Sequence, residues 1–111
     1  MNTIGIDPDE ASTDKDGFLL DQDDWSPAWA EKTAAQHGIH LLDTHWEIIH
    51  EVQDFYQLYQ RSPSMRPLVK FIRQQLGAEK GTSIYLLRLF PQSPAMHCAR
   101  IGGLPRPENC L

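Results

Sequence analysis

Apolar and polar positions alternate along this chain in blocks that predict five helices behind a short non-helical N-terminal stretch. Ser26 followed by Pro27 is a cap with proline at the first helical position, and Gly38 supplies a stop, so the first helix is expected over about 27–37. Thr44 and Glu47 form a capping-box pattern ahead of two adjoining stripes, Trp46, Ile49 and Tyr56 on one and Ile48, Val52, Phe55 and Tyr59 on the other. So broad an apolar face predicts that this second helix is the centre of the core. Ser62-Pro63-Ser64 breaks the chain, after which Leu68, Val69, Ile72 and Leu76 recur at helical spacing up to Gly77. A short fourth helix, capped by Thr82 or Ser83, carries Ile84, Tyr85, Leu87 and Phe90 and is ended by Pro91. Ser93-Pro94 repeats the cap-plus-proline device, and the fifth helix runs over about 94–101 to Gly102-Gly103.

The two ends read differently. Residues 1–12 are expected to be frayed, and Asp14-Lys15-Asp16-Gly17 ahead of Phe18-Leu19-Leu20 predicts a small β-hairpin on the helical body. From Leu104 onward Pro105 and Pro107 rule out helix and predict an extended, polyproline-like arm over 103–111. At about 3.1 Å per residue such an arm reaches roughly 20–25 Å from Gly103 to Cys110. The fold class expected is therefore mainly α with a little β (α+β): a five-helix orthogonal bundle, a small N-terminal hairpin and a flexible C-terminal arm, in one domain over 1–111.

Composition narrows the function classes. The chain has 111 residues, 41% of them apolar and 23% charged, which suits one small globular core. No apolar run approaches the roughly 18 residues of a membrane span, and the acidic N-terminus lacks the basic and hydrophobic regions of a signal peptide, so no membrane association and a cytoplasmic location are expected. The net charge of −5 hides an asymmetry: residues 1–60 carry thirteen acids against Lys15 and Lys32, whereas residues 61–111 carry eight Arg or Lys against Glu79 and Glu108. A basic half suggests an acidic partner surface or a nucleic acid, unless the halves neutralise each other on folding.

Two cysteines in a cytoplasmic chain point to thiol chemistry rather than to a disulfide framework. Cys110, one residue from the end, has little packing role open to it, so its value is access. A free thiol with a pKa near about 8.5 is only a few per cent thiolate at neutral pH, and Arg100 and Arg106 are the local cations that would raise that share. Other signals carry less. His40, His45 and His50 recur every fifth residue, but steps of five turn about 140° on a helix and collect on no single face, so no metal is expected. His97 and Cys98 are helix neighbours that point apart. Arg66, Lys70 and Arg73 on the third helix open a reading as a helix-turn-helix DNA-binding regulator; such domains are usually basic overall and this chain is acidic, so direct nucleic-acid binding is not expected. The same cations are also suited to dock an acidic partner.

Glu79-Lys80-Gly81, Tyr85-Leu86-Leu87-Arg88-Leu89-Phe90-Pro91, Ser93-Pro94-Ala95 and Ile101-Gly102-Gly103-Leu104-Pro105-Arg106-Pro107 with Cys110 resemble the C-terminal signature of the TusE/DsrC family of sulfur-relay proteins. Asp16-Gly17-Phe18-Leu19, Asp24-Trp25-Ser26, His45-Trp46-Glu47, Asp54-Phe55-Tyr56 and Ser64-Met65-Arg66-Pro67-Leu68-Val69-Lys70 resemble it in the same order. The resemblance implies a carrier acting by persulfide exchange, with Cys110 as the sulfur-bearing residue and no cofactor. Arg66, Lys70, Lys80, Arg88, Arg100 and Arg106 become the supporting or partner-docking residues. The partners implied are a TusBCD-like or DsrEFH-like donor complex and, as acceptor, the tRNA 2-thiouridine synthase for a TusE-like protein or dissimilatory sulfite reductase for a DsrC-like one. DsrC-type members carry a second cysteine eleven positions before the penultimate one, which here is Ala99; Cys98, turned by about 100° on a helix, reads first as a small buried residue alongside Ala95 and otherwise as the possible second thiol. Glu108-Asn109 also replaces the Thr-Gly common in that branch, and together these departures favour a TusE-like carrier, or a DsrC-related side branch, over a full two-cysteine DsrC.

Overall fold

A computed structural model of the chain describes residues 7–108. Helix α1 spans Pro27–Gln36, α2 Asp43–Tyr59, α3 Met65–Leu76, α4 Ser83–Leu89 and α5 Pro94–Ile101. Local chemistry sets these limits. Ser26 Oγ accepts from the Trp29 N–H at 3.1 Å and Thr82 Oγ1 from the Tyr85 N–H at 3.0 Å, each satisfying a donor left open by the first turn. Helix α2 departs from the expected capping box. It starts at Asp43, and the His45 ring does the capping, its Nδ1 accepting the Leu42 N–H at 3.1 Å. Glu47 is drawn off instead to Lys80 Nζ, 2.7 Å away. With Nδ1 accepting, the His45 proton sits on Nε2 and is donated to the Leu89 carbonyl at 3.0 Å, which ties α2 to α4.

The centre of the bundle is α5, not α2. Helix α5 packs against all four other helices, and seven of its eight residues are buried. Its small residues explain this: Ala95 and Ala99 on α5 and Ala30 and Ala34 on α1 are all buried, which allows a close approach of the two helices. Around them lie Ile48, Ile49 and Val52 of α2, Leu68 and Ile72 of α3, and Leu86 and Phe90 from α4 and its end. Helix α4 thus buries Leu86 and Phe90, while Ile84 and Leu87 stay 65% and 41% exposed.

Residues 7–12, expected to be frayed, include a turn at Pro8–Glu10 that packs on α1, with Asp9 paired to Lys32. The hairpin is reduced among the described residues to one antiparallel bridge, Thr13 to Leu19. Asp14 accounts for the shortening: its Oδ1 accepts from the N–H groups of Asp16 at 2.9 Å and Phe18 at 3.0 Å, pairings a strand would otherwise supply. These backbone hydrogen bonds, the Phe18 N–H foremost, hold the Asp14 carboxyl below its usual value. The turn drives Phe18 into the core. No helix among the described residues is long and apolar enough to cross a membrane.

Candidate functional site

Cys110, the expected reactive residue, lies outside the described residues, as does the last part of the expected arm. The described part, up to Glu108, shows how the C-terminal segment leaves the bundle. Helix α5 ends in a Schellman-type turn: the Gly103 N–H donates to Arg100 O at 3.2 Å and the Leu104 N–H to Ala99 O at 2.8 Å. Gly103 sits at φ +75°, and a Cβ there would fall 2.5 Å from Trp25 Cδ1, so both conformation and space require glycine. Two side chains pin the turn from outside, Trp25 Nε1 donating to Ile101 O at 2.8 Å and Gln53 Nε2 to Gly102 O at 3.0 Å.

The expectation of a free arm from 103 is therefore corrected over its first half. Leu104 and Pro107 are buried, and Ser62 Oγ donates to the Pro105 carbonyl. The Arg106 guanidinium lies 3.0 Å from Asp16 Oδ2 and over the Phe18 ring, 5.5 Å from its centroid. Segment 104–107 is extended, as the prolines require, but it is seated on the body. Beside it runs a cleft of about 290 Å³, walled by Phe55, Arg61, Ser62, Pro67, Arg106 and Glu108.

The other expected residues divide into separate groups. Arg100 is buried and serves as a tie: its Nε donates to Asp16 O at 2.8 Å, its guanidinium covers the Phe18 ring at 4.9 Å, and its NH1 donates to His97 Nδ1 at 3.3 Å. Desolvation, and then the Arg100 charge, push the His97 ring below the ordinary histidine value, so it is neutral at neutral pH. Lys80 is engaged with Glu47, whose hydrogen bond holds the ammonium charged. Arg88 is exposed on the last turn of α4. Arg66 and Lys70 line a groove between α3 and α4 together with Arg73. Of the six supporting cations, only Arg106 borders the cleft beside the C-terminal segment.

Cys98 is fully enclosed, and burial pushes its thiol far above the ordinary range, so its thiolate is scarce in the folded protein. Ala99 is enclosed beside it. No group of His, Cys, Asp or Glu among the described residues is arranged to hold a metal ion. Sequence reasoning missed Asp16, Trp25, Gln53 and Ser62 as the seat of the segment. They lie 43 to 90 residues from their partners, and no periodicity reports such pairs.

Comparison with known proteins bears directly on this segment. The chain matches the family described as "DsrC like protein" over residues 6–111, which takes in both the seat and Cys110. It is 47% identical to the sulfurtransferase TusE homolog of Haemophilus influenzae, covering 100% of this chain and 99% of that one. Its structure is similar to the NMR structure of Allochromatium vinosum DsrC, with a TM-score of 0.85 and 39% identity over 99% of this chain and 98% of the other. It is also similar to the oxidised gamma-subunit of dissimilatory sulfite reductase (DsrC) from Archaeoglobus fulgidus, with a TM-score of 0.77 and 35% identity over 91% and 92% of the two chains. The protein is a member of the DsrC-like family.

Proposed function

We propose that the chain is a sulfur carrier in which Cys110 takes up one sulfur atom as a persulfide and passes it to a partner protein. The enclosure of Cys98 carries this reading. Sulfur exchange requires a thiolate that another protein can reach; the chain has two cysteines, and one of them is sealed in the core with its thiol held protonated. The chemistry falls to the other. The Cys110 thiolate attacks the outer sulfur of a donor persulfide, so an S–S bond forms to Cys110 as the donor's S–S bond breaks, and the donor leaves as a thiolate. No oxidant is consumed, because the sulfur moves at one oxidation level.

Identity to TusE proteins, Ala99 at the second-cysteine position and the enclosure of Cys98 support the TusE-like branch. The donor is then a TusBCD-like complex, the acceptor the tRNA 2-thiouridine synthase, and the compartment the cytoplasm, with residues 1–111 acting as one carrier domain. The second reading, a DsrC-like partner of sulfite reductase, draws on the likeness to the gamma-subunit structure. It needs a Cys98–Cys110 bond, which requires opening the core. Mass spectrometry after loading with inorganic polysulfide tests the assignment: Cys98→Ala keeps the one-sulfur adduct and Cys110→Ser loses it. An undiminished adduct on Cys110→Ser refutes the carrier reading, and an oxidised form of the native chain lighter by two hydrogens that vanishes in Cys98→Ala favours the second reading.

A further inference from the structure

The groove between α3 and α4 takes no part in seating the C-terminal segment. It holds about 410 Å³, with Met65 and Val69 on its floor and Arg66, Lys70 and Arg73 along it. The cations sit at i, i+4 and i+7 of α3, one stripe about 10 Å long at 1.5 Å per residue. Arg73 donates to the Gly81 carbonyl, whereas Arg66 and Lys70 are exposed and make no ion pair with another described residue. No acid among the described residues lines the groove. Through Met65 it adjoins a second hollow of about 280 Å³ bordered by Leu87 and Pro94, and Ile84 stands 65% exposed on the same helix as Leu87. An apolar floor beside two cations with no ion-pair partner among the described residues is a surface lacking both its apolar cover and its counter-charges.

We infer that the α3–α4 groove docks an acidic amphipathic segment of the protein that exchanges sulfur with this carrier, an assignment that rests on the carrier reading above. Apolar side chains of that segment cover Met65, Val69 and Leu87, and Asp or Glu residues spaced three and four apart face Arg66, Lys70 and Arg73. A duplex nucleic acid fits less well. Its phosphates satisfy the cations but leave the apolar floor bare, and a chain of net charge −5 repels a polyanion at longer range. Charge steering of this kind speeds encounter and selects the partner, while the thiol on the C-terminal segment performs the exchange.

The test uses the full chain and a fluorescent synthetic helix of about three turns, roughly 11 residues, with Leu on one face and Glu flanking it. A scrambled peptide of equal composition and charge is the control. Anisotropy should show the amphipathic probe bound, the scrambled one about tenfold weaker, and binding by Arg66→Glu/Lys70→Glu reduced about tenfold or more. Val69→Ser should weaken the probe without abolishing it, and Arg66→Lys/Lys70→Arg should retain it. Equal binding of both peptides, or binding that survives the double charge reversal, overturns the inference. So does displacement of the probe by a short DNA duplex at equal charge, or self-association of the chain through these same residues. Polysulfide loading of Cys110, measured in parallel, separates the two claims: it should be unchanged in Arg66→Glu/Lys70→Glu. Loss of loading in the native chain removes the carrier reading while probe binding alone decides the groove.

Discussion

The root of the C-terminal segment and the α3–α4 groove are built from the same materials, arginine beside apolar side chains, and differ in whether the charges are satisfied. At the root Arg100 and Arg106 both reach Asp16 and both cover Phe18. In the groove Arg66 and Lys70 are exposed beside an apolar floor and pair with no acid among the described residues. A satisfied cation is a clamp, because moving it exposes both its partner and the ring beneath it. An unsatisfied one contributes little to stability and is free to meet a partner from outside. The molecule thus ties down the root of its C-terminal segment and leaves the groove's cations exposed.

The comparison breaks most severely at Gly103. Gly103→Val adds a side chain at positive φ and into the Trp25 ring, and should cost about 3 kcal/mol in urea unfolding by displacing the turn that launches the segment. A loss under about 1 kcal/mol means the turn relaxes and the seat is not rigid. Acidification comes next. His45 and His97 both lie below the ordinary histidine value because burial disfavours the charged ring. A depressed histidine contributes stability that is complete above its unfolded value of about 6.5 and is lost as pH falls toward the lower folded value. Thermal melts should therefore fall as pH is lowered from about 8 to 5, opposed at the acid end by Glu51, whose carboxyl burial raises above its usual value. A flat or rising profile over that range contradicts the placement of both rings. Loss from Asp14, also depressed, should set in as pH falls to its unfolded value of about 4 and be complete below its lower folded value.

Much of this was legible beforehand, and the reasons are local. Ser26-Pro27, Gly77, Pro91 and Ser93-Pro94 act on the residues beside them, so helix limits could be read within a residue or two. The hairpin was over-read because an Asp14 side chain replaces backbone pairing, an outcome composition does not distinguish. The centre of the core was misplaced because α5 is short and carries His97 and Arg100, which look like surface residues until Asp16 O and the Phe18 ring are brought to them from the other end of the chain. Of the candidate site, the residue types and the order of the segment could be read, but its seat on Asp16, Trp25, Gln53 and Ser62 depends on contacts that only folding creates.

Smaller effects sharpen the contrast. Asp16→Asn removes an ion pair that is partly exposed, and should lower stability by less than about 1 kcal/mol, with the difference shrinking at high salt. The exchange Asp16→Arg with Arg106→Asp should recover part of that loss; no recovery would show that the Phe18 stacking alone holds Arg106. The smallest change is expected for Arg66→Glu/Lys70→Glu, within about 0.5 kcal/mol of the native chain, since nothing in the fold leans on either charge.

The most direct test of the account follows sulfur to its position in the native chain. After brief polysulfide loading, alkylation under native conditions and peptide mapping, the account predicts a persulfide adduct on the C-terminal peptide carrying Cys110, with Cys98 labelled only after denaturation. A persulfide on the Cys98 peptide, formed at a comparable rate without unfolding, contradicts it.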